Sequence, residues 1–333
     1  MSLVSRLIKA NPSIQVSDVL AGTFTVPSAK GAFNSLGSRG VFMGGSGVST
    51  NVIDYIDITT TGNATDFGDL TAATESNAGA SSSTRGLSAG GEIAGGAPRS
   101  NIIEYITIAS TGNGTDFGDL IAGAYWPAGT SNNTRALFGG GTESSGTVSN
   151  RMTYITIAST GNATDFGNLI TSASRTRGMG SAASSTRALF AGGCSATTTY
   201  QADIEYYTID TTGTSTTFGD LTVARSFMSG GASSGTRALF AGGETGNNVR
   251  TSTIDYVTIA STGNATGFGD LTYSAQAGGT STYTRGVFPR TSSSVNNMDY
   301  VTIATTGNGQ GFGDLTIARQ NGMACVSNGH GGL

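Results

Sequence analysis

Lysine is almost missing from this 333-residue chain: only Lys9 and Lys30 occur, so 15 of the 17 basic residues are arginines. The formal net charge is -4 with no Lys/Arg block, so neither a nucleic-acid backbone nor an anionic membrane is drawn by bulk electrostatics. Charged residues are only 11% of the chain, too few for long amphipathic helices with charged outer faces. Cysteine is scarce as well. Cys194 and Cys325 are the only two, which excludes a disulfide scaffold and predicts two buried free thiols. The single histidine, His330, stands three residues from the end. A zinc or copper centre wants several His or Cys at short spacing, and acid–base catalysis wants a convergent set of groups. No catalytic residue, metal or cofactor is therefore expected. Long apolar runs are missing too: the first nine residues, MSLVSRLIK, hold no core of signal-peptide length. The expectation is a chain made in the cytoplasm, without membrane insertion, that leaves only inside a larger particle.

What the chain does have is glycine, 52 residues of it, with Ser, Thr and short apolar runs that point to β-structure. An arginine opens an apolar run at Arg39, Arg85, Arg135, Arg187, Arg237 and Arg285, in steps of 46, 50, 52, 50 and 48 residues. A second landmark, Phe-Gly-Asp/Asn-Leu, begins at Phe67, Phe117, Phe166, Phe218, Phe268 and Phe312, in steps of 50, 49, 52, 50 and 44. Two independent series in register define six tandem repeats. One copy reads as four short strands: a over Phe227–Gly231, b over Arg237–Ala241, c over Ile254–Ile259 and d over Phe268–Tyr273. In strand c, Ile254 and Tyr256 point one way and Val257 and Ile259 the other, so both faces seek burial. Sheets stacked between neighbours need that pattern, whereas a two-layer sandwich shows cleaner polar-out alternation.

The order of landmarks resembles the kelch repeat: Leu239-Phe240-Ala241-Gly242-Gly243, then Asp255-Tyr256, then Phe268-Gly269-Asp270-Leu271, with Val223-Ala224-Arg225 in the preceding copy. The likeness covers roughly residues 31–319. It departs in having Phe where the family has Trp, and in a c–d turn lengthened by Thr-Gly-Asn-Ala-Thr. The resemblance implies one all-β propeller domain of four-stranded blades. Closure removes the exposed edges of an open ring. Residues 320–333 read as a closing strand around Gly322–Ser327. Residues 1–30 offer further strands at Leu7-Ile8, Ile14–Val16 and Gly22–Pro27. Together these predict seven blades, completed by both termini, with six blades plus extra terminal strands as the alternative.

The repeated acids Asp69, Asp119, Asn168, Asp220, Asp270 and Asp314 read as turn or bulge residues accepting backbone N–H groups, against calcium ligands. Asn63, Asn113, Asn162 and Asn264 match a glycosylation pattern but read as turn chemistry. The arginine series reads as a ring of structural hydrogen bonds, against an anion-binding channel rim. Recognition is expected where the copies differ. The c–d turns are nearly uniform, whereas the b–c loops are not: Gly45 to Tyr55 is 10 residues, Gly91 to Tyr105 is 14 and Gly243 to Tyr256 is 13. The b–c and d–a connections share one face. It carries Glu92, Arg99, Glu143, Tyr200, Gln201, Glu244, Asn247, Asn248, Arg250 and the pair Tyr125-Trp126. Amides, mixed charge and an aromatic platform suit a sugar or a protein epitope.

The phrase TGNATDFGDL and the Gly/Thr/Ser-rich copies resemble kelch-like proteins of bacteriophage particles. That resemblance implies a multicopy virion structural or attachment protein of tail, fibre or capsid surface. It would contact other virion proteins and a host-surface glycan or protein. A propeller lectin and a kelch-type adaptor without catalytic activity are the alternatives.

Overall fold

In a computed structural model the described residues are 37–45, 50–93, 99–170, 176–195, 199–228, 230–291 and 294–329. The N-terminal strands expected within residues 1–30, and His330, lie outside them. Every regular element among the described residues is a β-strand, and the strands form six antiparallel blades.

The second blade shows the plan. Ala78–Ser81 (a), Arg85–Ala89 (b), Ile102–Thr107 (c) and Thr115–Asp119 (d) pair in that order. Strands b and c of the other blades are Arg39–Met43 and Val52–Asp57, Arg135–Gly139 and Arg151–Thr156, Arg187–Ala191 and Asp203–Thr208, Arg237–Ala241 and Thr253–Thr258, and Arg285–Thr291 and Asn297–Thr302. The first blade takes its innermost strand from the other end of the chain: Ala324–Ser327 pairs with Arg39–Met43, Gly40 opposite Ser327 and Met43 opposite Ala324. The seven-blade expectation is thus corrected to six. The C-terminal strand fills the vacant inner position of a blade that residues 39–69 leave one strand short, so it founds no blade of its own.

Strand c is buried on both faces, as its apolar residues require. Six hydrophobic clusters each span two neighbouring blades. One joins Leu239, Ile254 and Phe268 to Phe288, Val301 and Ile303, and another joins Phe42, Ile56 and Ile58 to Val287, Phe312 and Leu315, closing the circle. The core therefore lies between blades, where each sheet face loses its water to the next.

Strand a of the fifth blade departs from the reading over 227–231: it is Ala232–Ser233. Phe227 has φ 58, a left-handed turn conformation that ends extended backbone there.

Candidate functional site

One face is committed to holding the ring. Each arginine of the series lies over the tyrosine of its own strand c, with Cζ 4.4 Å from the Tyr55 ring centre for Arg39 and 4.3 Å from that of Tyr256 for Arg237. Each also donates from Nη1 to a carbonyl of the next blade: Arg39 to Ile108, Arg85 to Ile157, Arg135 to Ile209, Arg187 to Ile259, Arg237 to Ile303 and Arg285 to Ile58, at 2.8 to 3.0 Å. The planar guanidinium serves both contacts at once. Each tyrosine meets its Phe edge-on, as Tyr55 does Phe67 at 5.9 Å, and Tyr105, Tyr154, Tyr206, Tyr256 and Tyr300 do Phe117, Phe166, Phe218, Phe268 and Phe312.

The lengthened c–d turn answers in the other direction. Gly112 N–H donates to the Phe67 carbonyl and Gly114 N–H to that of Asp69, and the Gly pattern repeats around to Gly62 and Phe312. The turn asparagines add a side-chain contact: Asn63, Asn113, Asn162, Asn264 and Asn308 accept through Oδ1 from the N–H of Asp314, Asp69, Asp119, Asp220 and Asp270. The repeated acids were expected to accept N–H bonds with their carboxylates; at these contacts it is their own N–H groups that donate. The Gly before each acid allows the turn this close. A Cβ on Gly118, at φ +143, would stand 2.5 Å from the Gly161 carbonyl oxygen.

The axis is filled rather than open. Side-chain hydroxyls of the innermost strands donate to the carbonyl of the preceding blade: Ser81 to Ser327, Ser131 to Ser81, Ser181 to Gly129, Ser233 to Ala183, Ser281 to Ser233 and Ser327 to Ser281. The cavity left is about 40 Å³, room for no more than about three waters. Its lining includes none of the repeated arginines but does include Cys325. Cys325 as a residue is only partly buried, yet desolvation of its thiol pushes it up to about 12.

The other face is built from the d–a and b–c connections, which pair with each other within a blade. Thr74–Glu75 pairs with Glu92–Ile93, and Ala124–Tyr125 with Thr142–Glu143. Bridges join Glu92 to Arg99, Arg177 to Cys194, Cys194 to Tyr200 and Ser226 to Glu244. Next to the axis, Ser76, Trp126 and Phe227 share a left-handed conformation at φ 55, 57 and 58, and Gly178 has φ 68. Their backbones link blade to blade: Trp126 N–H donates to the Ser76 carbonyl and Gly178 N–H to that of Trp126.

These turns converge on one cluster across the third, fourth and fifth blades. Trp126, Cys194 and Phe227 are buried together, with Tyr125 and Tyr200 packed against them. Trp126 meets Phe227 at 5.0 Å and Tyr125 at 6.1 Å, both edge-on. Only 4% of Trp126 is exposed, so the platform expected of its ring is covered; Tyr125 and Tyr200 are the half-exposed rings here. Arg177 lies over two rings, with Cζ 5.1 Å from the centre of Phe227 and 5.4 Å from that of Tyr125. Burial raises the Cys194 thiol above its usual range, and a bond from Ser226 and the charge of Arg177 only partly oppose this. Burial, then the charge of Glu244, raise Tyr200.

The remaining expected residues are dispersed. Glu143 pairs with Arg151 at 3.5 Å. Glu244 accepts from Gln276 at 2.9 Å and faces Arg250 at 3.6 Å. Gln201 is buried and donates to the Tyr200 carbonyl. Asn247 and Asn248 form the exposed tip of a hairpin between Glu244–Gly246 and Val249–Arg250. Glu92 and Arg99 stay in the second blade, apart from the cluster. Sequence reasoning missed Arg177, Cys194 and Phe227 as a group. The residue before the left-handed turn reads Glu75, Tyr125, Arg177 and Ser226 in successive copies, so the variation was visible in the sequence but the turn that gathers these positions was not.

Among the described residues, no group of three or more His, Cys, Asp or Glu is placed to hold a metal ion. Fold and faces together define a six-bladed β-propeller with one face given over to blade-to-blade bonding and the other individual to each blade. No protein-family model matches the chain, and no curated protein does either.

Proposed function

We propose that this propeller is a non-catalytic recognition ring, a structural or attachment protein of a bacteriophage particle that engages a host-surface glycan or protein through its individual face. The difference between the faces carries the reading. Six near-identical copies spend their shared residues on clasping one another, while the connections opposite differ in length, charge and aromatic content. Rigid scaffolds with varied loops are how recognition surfaces are usually built. The kelch-like repeat and the TGNATDFGDL phrase, similar to those of virion proteins, support the particle; fold alone supports no activity.

Mass spectrometry of purified phage particles tests it: the chain is expected in stoichiometric, multicopy amounts, and its absence would overturn the virion assignment. The second reading, a propeller lectin, draws on the half-exposed Tyr125 and Tyr200 beside Arg177. Glycan-array binding by the isolated chain without its presence in particles would favour it.

A further inference from the structure

Arg177 is held unlike the arginines that clasp the blades. Its guanidinium lies over the rings of Phe227 and Tyr125, yet none of its side-chain nitrogens has a hydrogen-bond or carboxylate partner among the described residues. Its Nε is shielded from solvent, which leaves the two terminal nitrogens as the donors open to an incoming group. The Tyr200 hydroxyl, a second donor of the same cluster, is also shielded and unpartnered. The acid acting on this cluster, Glu244, is engaged by Gln276 and Arg250. A cation stripped of part of its water, oriented by two aromatic faces and beside an unused hydroxyl, is arranged to receive an anion.

We propose that Arg177, with Tyr125, Tyr200 and Phe227 around it, is the carboxylate-binding point for an acidic sugar on the individual face of the ring. A planar carboxylate matches the two terminal nitrogens of the guanidinium, and the half-exposed Tyr125 and Tyr200 offer apolar ring surface to the sugar's C–H groups. An extended peptide fits less well. The connections here pair only as a two-residue ladder, Ala124–Tyr125 with Thr142–Glu143, or as single bridges, Cys194 with Tyr200 and Ser226 with Glu244, so they offer strand addition only edges too short to hold an extended peptide. The proposal rests on the recognition reading above and gives it a ligand chemistry.

Isothermal titration of the full chain with N-acetylneuraminic acid and with oligogalacturonate tests it, beside their methyl esters and an acidic peptide of alternating Glu and Gly. Binding of at least one acid sugar is expected, with loss on esterification. Arg177→Gln should weaken that binding by about tenfold or more, a difference of about 1.4 kcal/mol, with only a small fall in melting temperature, because the side chain lies over two rings but makes no hydrogen bond or ion pair among the described residues. Arg290→Gln is the control. Arg290 lies over Tyr273 with its own Nε unpartnered, and its loss should leave binding intact. Equal binding of acid and ester, indifference to Arg177→Gln, preference for the peptide, or no binding of either acid sugar would each overturn the proposal. None of these results would remove the chain from purified particles, so the virion reading stands or falls separately.

Discussion

At the scale of single residues, the repeat is explained by contacts that reach across a blade boundary. Arg135 lies over Tyr154 and donates to the Ile209 carbonyl, so Arg135→Met keeps much of the stem packing and loses both polar contacts. A loss of about 2 kcal/mol is expected in urea denaturation. The fourth blade supplies the converse case. Thr214 stands where five other copies have asparagine, and among the described residues no side chain accepts from the Asn168 N–H as the asparagines do elsewhere. Thr214→Asn should supply that acceptor and stabilise by about 0.5–1.5 kcal/mol in the same assay; a destabilised variant would show the turn there is differently set. Both series of landmarks were plain in the sequence, but their partners were not. A bond from Arg39 to Ile108 spans 69 positions and has no signature in spacing. The same holds for Trp126: its chemistry suggested display, while the left-handed turn that tucks it against Phe227 left no mark a single sequence could show.

At the scale of elements, the C-terminal segment is the decisive piece. Before it becomes a strand it carries Arg319, wholly buried against Asp54 at 2.8 Å and donating also to the Phe42 and Gly44 carbonyls. Arg225 repeats the arrangement with Asp255 at 2.7 Å and the Phe240 carbonyl. Desolvation pulls both guanidiniums below their usual range, and the adjacent carboxylates oppose it. Removing one partner of such a pair strands a charge in the core, so Arg319→Met should cost about 3–5 kcal/mol, measured by chemical denaturation; a cost under about 1 kcal/mol would show that water reaches Asp54. The strand pattern of Ala324–Ser327 was legible. Its place in the ring was not, because a strand-a pattern fits equally the start of a seventh blade and the vacancy in the first.

At the scale of the whole molecule, burial sets the alkaline limit. The Cys325 thiol is raised from 9.0 to about 12, Cys194 is raised as well, and Tyr273 stands well above its usual 10.0, each chiefly by desolvation. The folded state thus favours the neutral forms. Their contribution is fully present below pH 9.0 and is lost as the pH rises towards about 12. Melting temperatures should hold level up to about pH 9 and then fall; a curve still level at pH 11 would contradict this assignment. Six repeats, an all-β chain and varied loops were readable from one sequence. The filled axis was not, since Ser81, Ser131, Ser233, Ser281 and Ser327 look like ordinary turn residues until the blades bring their hydroxyls into a circle.

The place where the chain enters and leaves the ring has a mechanical consequence. Every passage from one blade to the next is spanned by polypeptide, including the last, because residues 315–323 lead from the sixth blade into the innermost strand of the first. The chain enters and leaves the ring within one sheet, where Ser327 lies opposite Gly40 and Asn328 exchanges bonds with Arg39. Entry and exit lie at the same end of that antiparallel pair. Tension applied between tethers at Ser38 and Asn328 therefore unzips the pair one bond at a time, whereas tension between Arg39 and Ala324 shears all its bonds together. In an optical trap the first geometry is expected to open at the lower force, and equal forces would show that the seam is not where the ring yields.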